Sequence, residues 1–252
     1  MKLDLITSVY NEEYLLPIFL NHYQNQVDRI IVLYNMASTD NTSKILNDFD
    51  DQNKLTIIPF SFEDGLNDIV KKDWFNNCIS KSNADYVIAV DIDELIFPSL
   101  SFHSSIKSIL ERNKSDYYEC TLFQMYPDAE TEKKDIDCNS LIWEQRHWGI
   151  FEKDYQKPSI FKPQQWRVGI GNHFIYNAFN PQVRANKTNI LSRYFYGCHL
   201  NNVNLDFAIQ RRLSRTNMSK VNIKNGYGIQ YIDVTEQNIR DEFNNVKTTK
   251  LW

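Results

Sequence analysis

Asp91-Ile92-Asp93 is the part of this sequence with the clearest chemistry. It follows directly on Tyr86-Val87-Ile88-Ala89-Val90, the most apolar strand-like run in the chain. Alternation along a strand points Asp91 and Asp93 to the same side. Two carboxylates at a strand's C-terminal edge make a hard oxygen site. Mg²⁺ or Mn²⁺ takes such a site through one or two carboxylates and completes its shell with substrate phosphates, not with a closed protein cage. The cation would then neutralise a diphosphate, as leaving group or as part of a bound donor. The same triplet also occurs on surfaces and at helix starts, so its placement decides.

Placement depends on the elements around it. Leu3 to Val9 reads as a short apolar strand, and Ile30-Ile31-Val32-Leu33 marks a second within 28–34. Leu55 to Phe60 gives a third and Tyr86 to Val90 a fourth. Helical patterns lie between them. Asn11-Glu12-Glu13 supplies a capping Asn and first-turn acids for a helix carrying Leu15, Leu16, Phe19, Leu20 and Tyr23. Ser38 to Thr42 is rich in cap formers and opens a second helix with Ile45, Leu46 and Phe49 on one face. A third is expected from Leu66 to Lys81, with Ile69, Val70, Trp74, Cys78 and Ile79 spaced for one face. This alternation predicts βαβ units, a mostly parallel sheet and right-handed crossovers. Ligands bind such sheets at the carboxyl ends of the strands. The segments to inspect are therefore Tyr10-Asn11-Glu12, Asn35 to Ser38, Ser61 to Asp64 and Asp91 to Glu94.

The second half is less regular. A helix from about Ser101 to Arg112 and a strand over Tyr117 to Met125 precede a polar stretch at 126–140. From 141 to 200 the chain is rich in aromatics, Gly and Pro, and helices are expected over 203–215 and 235–245. No repeat or linker interrupts it. The expectation is one domain over 1–252, with a regular nucleotide-binding half (1–100) and an irregular acceptor-side half (101–252).

Composition narrows the function classes. The chain has 252 residues, 42% hydrophobic and 24% charged, enough for a sizeable core without staples. Its mean hydropathy is −0.50 and it has no long apolar run, which argues against a membrane span. A net charge of −4 and no Lys/Arg cluster argue against nucleic acid as a partner. Cys78, Cys120, Cys138 and Cys198 form no C-x-x-C pair, so reduced thiols are expected instead of a zinc site or disulfides. The N-terminus lacks signal-peptide features, which makes cytoplasmic residence the default, with peripheral contact at the inner face of a membrane left open.

Three segments carry a family resemblance. They are Val9-Tyr10-Asn11-Glu12-Glu13, the run Ile31 to Thr42 with its Ser38-Thr39-Asp40-Asn41-Thr42 helix start, and Ala84 to Glu94. Together they resemble family 2-like glycosyltransferases of the GT-A fold, in the D-x-D-E form of the family 2, group 4 and family-92-like branch. The likeness is good over 1–98. Beyond that it rests on Lys157-Pro158, Gly171-Asn172-His173 and Gly197-Cys198-His199-Leu200. The resemblance implies an α/β enzyme that moves a sugar from a nucleotide-diphosphate sugar, with a UDP-sugar the expected donor, onto a glycan or lipid-linked acceptor. It places Tyr10, Asn11, Glu12, Asn35 and Asp40 by the nucleotide, with Asn35 where many relatives carry an Asp. Asp91 would face the donor ribose or the metal, and Asp93 would bind Mn²⁺ or Mg²⁺ directly. Glu94 would support that pair or open a helix. His199, at a strand end, would complete the metal site; a structural histidine is the competing reading. His173, after a Gly-rich turn, would contact donor phosphate or acceptor, or simply hold the turn. Arg211-Arg212 is read as a solvated basic face, with a diphosphate contact as the lesser alternative.

The general base is less legible. An inverting transfer, the expected outcome, needs a carboxylate within hydrogen-bond reach of the acceptor hydroxyl. The E-D pair that many relatives use is missing. Glu144, Glu152 and Asp154 remain as candidates, each equally readable as surface charge. Trp143, Trp148, Tyr155, Phe161 and Trp166 could stack on a sugar or fill a core. Two other functions compete. One is a catalytically inactive GT-A domain that only binds nucleotide or glycan. The other is a haloacid-dehalogenase-type phosphatase, disfavoured because its D-x-D usually follows the first strand.

Overall fold

Alternation of apolar side chains divides the early strands between two faces of one sheet. In β1 (Leu3–Val9), Leu3, Leu5 and Val9 pack on one side and Ile6 on the other. In β2 (Arg29–Asn35), Ile30 and Val32 oppose Ile31 and Leu33 in the same way. A strand apolar on both faces must be covered on both, as parallel α/β sheets are. The computed structural model describes residues 1–49, 53–62, 64–99, 105–128, 130–185 and 192–252.

Between β1 and β2 runs α1 (Leu16–Tyr23), which has no side-chain cap and carries Pro17 in its first turn. It begins later than Asn11-Glu12-Glu13 led us to expect. Asn11 adopts the left-handed conformation at φ 54°. Its Oδ1 accepts the Thr39 N–H at 2.7 Å. The residue therefore ties two loops together instead of capping a helix. After β2 comes α2 (Thr42–Asn47), then β3 (Leu55–Phe60). The third helix, α3 (Asp68–Lys81), is capped by Asn67, whose side chain accepts from the Ile69 and Val70 N–H groups. It starts two residues after the expected Leu66, and Phe75, Cys78 and Ile79 form its buried face. β4 (Tyr86–Ala89) is buried throughout.

Beyond β4 the chain turns through Asp91 into β5 (Glu94–Pro98), so Glu94 opens a strand and not a helix. The following helix, α4 (Ile106–Asn113), is capped by Ser105; the expected start at 101–104 lies outside the described residues. β6 (Tyr117–Met125) and the long β7 (Trp148–Phe161) form the largest hairpin, with register shifts between Tyr118 and Cys120 and between Thr121 and Phe123. β8 (Trp166–Val168) and β9 (Ile175–Asn177) make a separate two-stranded ribbon. β10 (Phe195–His199) returns to the main sheet. Then follow α5 (Leu205–Ser214), α6 (Lys220–Lys224), α7 (Glu236–Asn245) and the short β11 (Thr249–Lys250), which pairs with β7.

The main sheet runs in the order β3-β2-β1-β4-β7-β6-β10-β5. Its first four strands are parallel. β7 is antiparallel to both β4 and β6, β6 and β10 are parallel, and β10 and β5 antiparallel. The α/β class with a parallel first half is as expected, and the sheet continues unbroken into the second half. Both outer strands carry a proline, Pro59 in β3 and Pro98 in β5.

The connection from β4 to β5 forces the sheet to curl. From Ala89 to Glu94 the chain can span at most about 18 Å. Four flat interstrand gaps would need about 19 Å, and the chain spends part of its length on a turn. Curling brings the β5 start beside the β4 end, and the Leu200 N–H donates to the Asp93 carbonyl at 2.8 Å. The Asp91–Asp93 turn is thereby brought against the last turn of α5, where Arg211 Nη1 lies 3.0 Å from Asp93 Oδ2.

One buried side chain gives this core a pH signature. His22 of α1 bonds through Nε2 to the Ile96 carbonyl at 2.8 Å and is 6% exposed. Burial lowers its imidazole to about 4, against a partial opposing effect of that hydrogen bond. The unfolded chain takes up a proton near pH 6.5 that the folded chain refuses, so stability present above that pH is lost as the pH falls. Urea denaturation at pH 7.5 and 5.5 should show His22→Gln losing about 1.4 kcal/mol less than the wild type. Equal losses in the two proteins would contradict a neutral, buried His22.

Candidate active site

A cavity of about 570 Å³ opens at the carboxyl ends of β1 and β4. That volume lies within the range of small-molecule sites. Strand β1 delivers Tyr10 and Glu12, and the turn after β4 delivers Asp91 and Asp93. Lys71 comes from α3, Tyr155 and Lys157 from β7, His199 from the end of β10, and Arg211 and Arg215 from α5 and just beyond it. His173 and Phe174 come from the turn between β8 and β9, while Tyr227 and Tyr231 close the far wall.

At the centre is an ion network, buried at Glu12, Asp93, Glu94, Lys157 and Arg211 and partly exposed at Lys71, Asp91 and Arg215. Lys71 Nζ donates to Asp91 Oδ1 at 2.6 Å, and Lys157 Nζ lies 3.9 Å from the other Asp91 oxygen. Lys157 also pairs with Glu94, whose second oxygen accepts the Asp91 N–H at 3.1 Å. Arg211 Nη1 lies 3.0 Å from Asp93 Oδ2, and its Nη2 donates to Glu12 Oε1 at 2.9 Å. Arg215 reaches the same Glu12 oxygen at 3.0 Å. Glu12, Asp91, Asp93 and Glu94 are thus matched by Lys71, Lys157, Arg211 and Arg215. Burying this many charges is tolerable only because each is paired.

Proton affinities follow from this packing. Burial pushes Asp91 and Asp93 upward, but the surrounding cations outweigh it and hold both below the usual carboxylate range. Around Asp91 the largest contributions come from Lys71 and Lys157; around Asp93 they come from Arg211 and, only at acid pH where its ring is protonated, from His199, with Arg215 adding to them. Glu94 is raised to about 7, by burial first and by Asp91 and Asp93, with Lys157 opposing. Glu12 is also raised by burial, against Arg211 and Arg215. The Lys157 ammonium is stabilised by Glu94 and Asp91 and keeps its proton. Burial lowers His199 to about 4, so its ring is neutral at neutral pH.

The residues expected from sequence divide into several groups. Tyr10, Glu12, Asp91, Asp93, His173 and His199 line one cavity. Asn11 and Asp40 face a second hollow beside it, shared with Tyr14 and Phe207. Asp40 is also a cap: its carboxylate accepts the Thr42 N–H at 3.0 Å and the Glu13 N–H at 2.9 Å. Asn35 is 1% exposed and turns its Oδ1 onto the Ala37 N–H at 3.0 Å. Glu144, Glu152 and Asp154 are all exposed, and none lines the cavity. Among the residues after β3, Phe62 lines it and Glu63 lies outside the described residues.

The solvated reading of Arg211 is corrected. Arg211 is 5% exposed and forms the hub of the network, while Arg212 turns to Glu242 of α7 at 2.6 Å. The signal was present in the spacing: Ala208, Arg211 and Arg215 fall at i, i+3 and i+7 on one helical stripe. Lys71 and Gln124 carried no such signal. Each is a polar residue whose partner lies far away in sequence.

The donor set also decides whether a divalent cation fits. Asp93 Oδ2 and His199 Nε2 face each other at 3.5 Å. Nδ1 of the same ring bonds to Gln124 Oε1 at 2.5 Å; with the ring proton on Nδ1, Nε2 would present a bare lone pair. A carboxylate oxygen and an imidazole lone pair aimed at one another suit a cation between them. Among the described residues no cluster of three His, Cys, Asp or Glu side chains is arranged to hold a metal alone. The arrangement fits an ion that completes its shell with phosphate oxygens.

Residues 7–249 match glycosyltransferase family 92. Among solved structures the chain is similar to a fragment of TarS from S. aureus at 15% identity, covering 97% of this chain and 71% of that one, with a TM-score of 0.39. A longer TarS structure gives 16%, 97%, 43% and 0.41 for the same measures. Glucosyl-3-phosphoglycerate synthase from Mycobacterium tuberculosis, in complex with Mn²⁺, uridine diphosphate and glucosyl-3-phosphoglycerate, is 13% identical over 49% of this chain and 44% of that one, with a TM-score of 0.33. The chain thus spans less than half of the longer TarS and of the synthase. No curated protein matches it.

Arg211 should be structural as well as electrostatic. Arg211→Met leaves Glu12 and Asp93 short of a buried partner and should cost about 3–5 kcal/mol in chemical denaturation. Adding Glu12→Gln should cost less than the sum of the single changes. Strict additivity would mean that the two groups do not interact.

Proposed function

Since the chain belongs to glycosyltransferase family 92, we propose that it transfers a sugar from a nucleotide-diphosphate donor, a UDP-sugar, to the hydroxyl of a glycan or lipid-linked acceptor. The observation that carries this reading is the convergence of Asp91, Asp93, His199 and four cations on one cavity at the strand ends.

Charge balance supports a metal-dependent reaction. With Glu94 ionised, the four carboxylates and four cations already compensate each other, and His199 is neutral. A diphosphate would bring in uncompensated negative charge, which is costly in a buried site. Mn²⁺ or Mg²⁺ held by Asp93 and His199 would supply the missing charge and polarise the diphosphate. Lys71, Lys157 and Arg215 stand around the same space as fixed, preorganised donors for charge that develops on the departing diphosphate. Tyr10 and Phe62 offer aromatic surface on the β1 and β3 side, suited to a base. Tyr155, Phe174, Tyr227 and Tyr231 offer it on the other, suited to the acceptor sugar.

We read the transfer as inverting. The acceptor oxygen bonds to the anomeric carbon as the bond to the diphosphate breaks, and the acceptor proton passes to a base. The cavity-lining titratable groups outside the buried network include Asp68 and His173, and we assign the proton to one of these. The protein is proposed to act in the cytoplasm, with any membrane contact peripheral. No helix among the described residues is long and apolar enough to cross a membrane.

Thermal unfolding with UDP, with and without Mn²⁺, tests this reading. At a hundredfold excess over Kd, bound ligand should add about 2.7 kcal/mol, or roughly 5–10 °C in Tm. The Mn²⁺-dependent part should vanish in Asp93→Asn, together with slow hydrolysis of the matching UDP-sugar. If UDP with Mn²⁺ leaves the wild-type Tm unmoved, the proposal fails. Tight binding without turnover on any acceptor would favour the inactive-domain reading.

A further inference from the structure

His199 is held by more than the wall of the cavity, and the residues that hold it carry no role so far. Gln124 of β6 stands opposite His199 of β10 in the parallel register. Both are nearly buried, at 5% and 7% exposure. Gln124 Oε1 lies 2.5 Å from His199 Nδ1. From the β7 side, the Glu152 carboxylate feels the Gln124 side chain, which lowers its proton affinity against the raising effect of burial. An ionised carboxylate can only accept, so its charge favours the amide nitrogen on its own side. That preference sets which way Gln124 points. Its oxygen is then left for His199, and an amide oxygen can only accept, so the ring proton must sit on Nδ1.

We propose that Gln124, oriented by Glu152, is a positioning residue that locks His199 in the Nδ1–H tautomer and so keeps Nε2 open for a divalent cation beside Asp93. The inference rests on the metal reading given above, but it concerns this chain's own hydrogen bonds and can be examined without metal. It also gives exposed Glu152 a role away from the reacting atoms. With the opposite tautomer, Nε2 would donate its proton toward Asp93 Oδ2, 3.5 Å away, and both ligands would be consumed by each other.

The surroundings make the arrangement rigid. The Tyr155 ring lies 4.5 Å from the His199 ring, centroid to centroid, at 36°. Gly149 lets β7 press against β6: a Cβ there would stand 2.6 Å from the Gln124 carbonyl oxygen. Gly197 does the same two residues before His199, where a Cβ would stand 2.7 Å from the Leu95 carbonyl oxygen. The strands that carry Gln124 and His199 are therefore closely packed against their neighbours. Groups that orient a ligating imidazole generally matter 10- to 100-fold in metal affinity.

The test begins with the metal-free ¹⁵N-labelled protein. Long-range ¹H–¹⁵N correlation spectra at neutral pH, assigned with His199→Gln, should show His199 protonated on Nδ1 and bare on Nε2. Gln124→Leu should move the proton to Nε2 and weaken Mn²⁺ binding in the presence of UDP about 10- to 100-fold. The exchange Gln124→Glu with Glu152→Gln keeps an acceptor facing His199 and a donor facing that acceptor. It should restore the Nδ1–H tautomer and most of the Mn²⁺ affinity, and it covers the case in which Gln124→Leu fails to fold. Three results would overturn the proposal: a wild-type ring protonated on Nε2, a tautomer indifferent to Gln124→Leu, or a changed tautomer with unchanged Mn²⁺ affinity. A wild-type protein with the expected tautomer that binds no Mn²⁺ alongside UDP would instead sink the metal reading, leaving the hydrogen-bond assignment standing.

Discussion

The arginine of α5 that joins Glu12 to Asp93 is the contact on which this structure turns. Glu12 follows β1, Asp93 follows β4, and Arg211 arrives from about two hundred residues later in the chain. None of the three could be buried alone, because an unpaired charge in such surroundings is prohibitive. Their mutual compensation fixes α5 over the strand ends, and α5 in turn closes one side of the cavity. A buried ion pair is weak evidence for net stability, since an apolar replacement often does as well. What it provides here is a polar interior at a defined place, with carboxylate and imidazole groups held ready and already desolvated.

The first half of the fold was legible because its signals are local. Apolar runs of strand length, helical spacing between them and a D-x-D after the fourth strand all lie within about a hundred consecutive residues. The misreadings there are instructive. Asn11 carries the right residue type for a helix cap, yet tertiary contacts with Thr39 claim its side chain. The second half was harder to read because its organisation is non-local. β10 inserts between β6 and β5, and the register shifts of the β6–β7 hairpin cannot be inferred from alternation. A buried arginine looks like a surface arginine until its partners are known. Lys71 and Gln124 were missed for the same reason: each acts through a side chain distant in sequence, Asp91 in one case and His199 in the other.

The site also shows how a curled sheet builds a reaction chamber. In a flat parallel sheet the residues after each strand line an open crevice. Here the short link between β4 and β5 bends the sheet, and β7 and β10 bring Lys157 and His199 to face residues delivered by β1 and β4. The parallel half therefore contributes most of the acids, and the later half contributes Lys157, His199 and the two arginines. Function is divided across the chain in a way that neither half could sustain alone.

The prolines at the two rims of the sheet have a consequence for how the molecule behaves among its own copies. Strands that end a sheet offer unsatisfied peptide groups to any passing neighbour. Pro59 deletes a donor from one such rim and Pro98 from the other, and a pyrrolidine ring interrupts the regular ladder a second chain would need. Leu55 to Ile58, an apolar and β-branched stretch beside Pro59, is the kind of segment that seeds fibrils when left unguarded. Together with His22 and Tyr23 of α1, which bond the Glu94 and Ile96 peptide groups on the β5 rim, the curl and the prolines let a long sheet stop growing at the boundary of a single molecule.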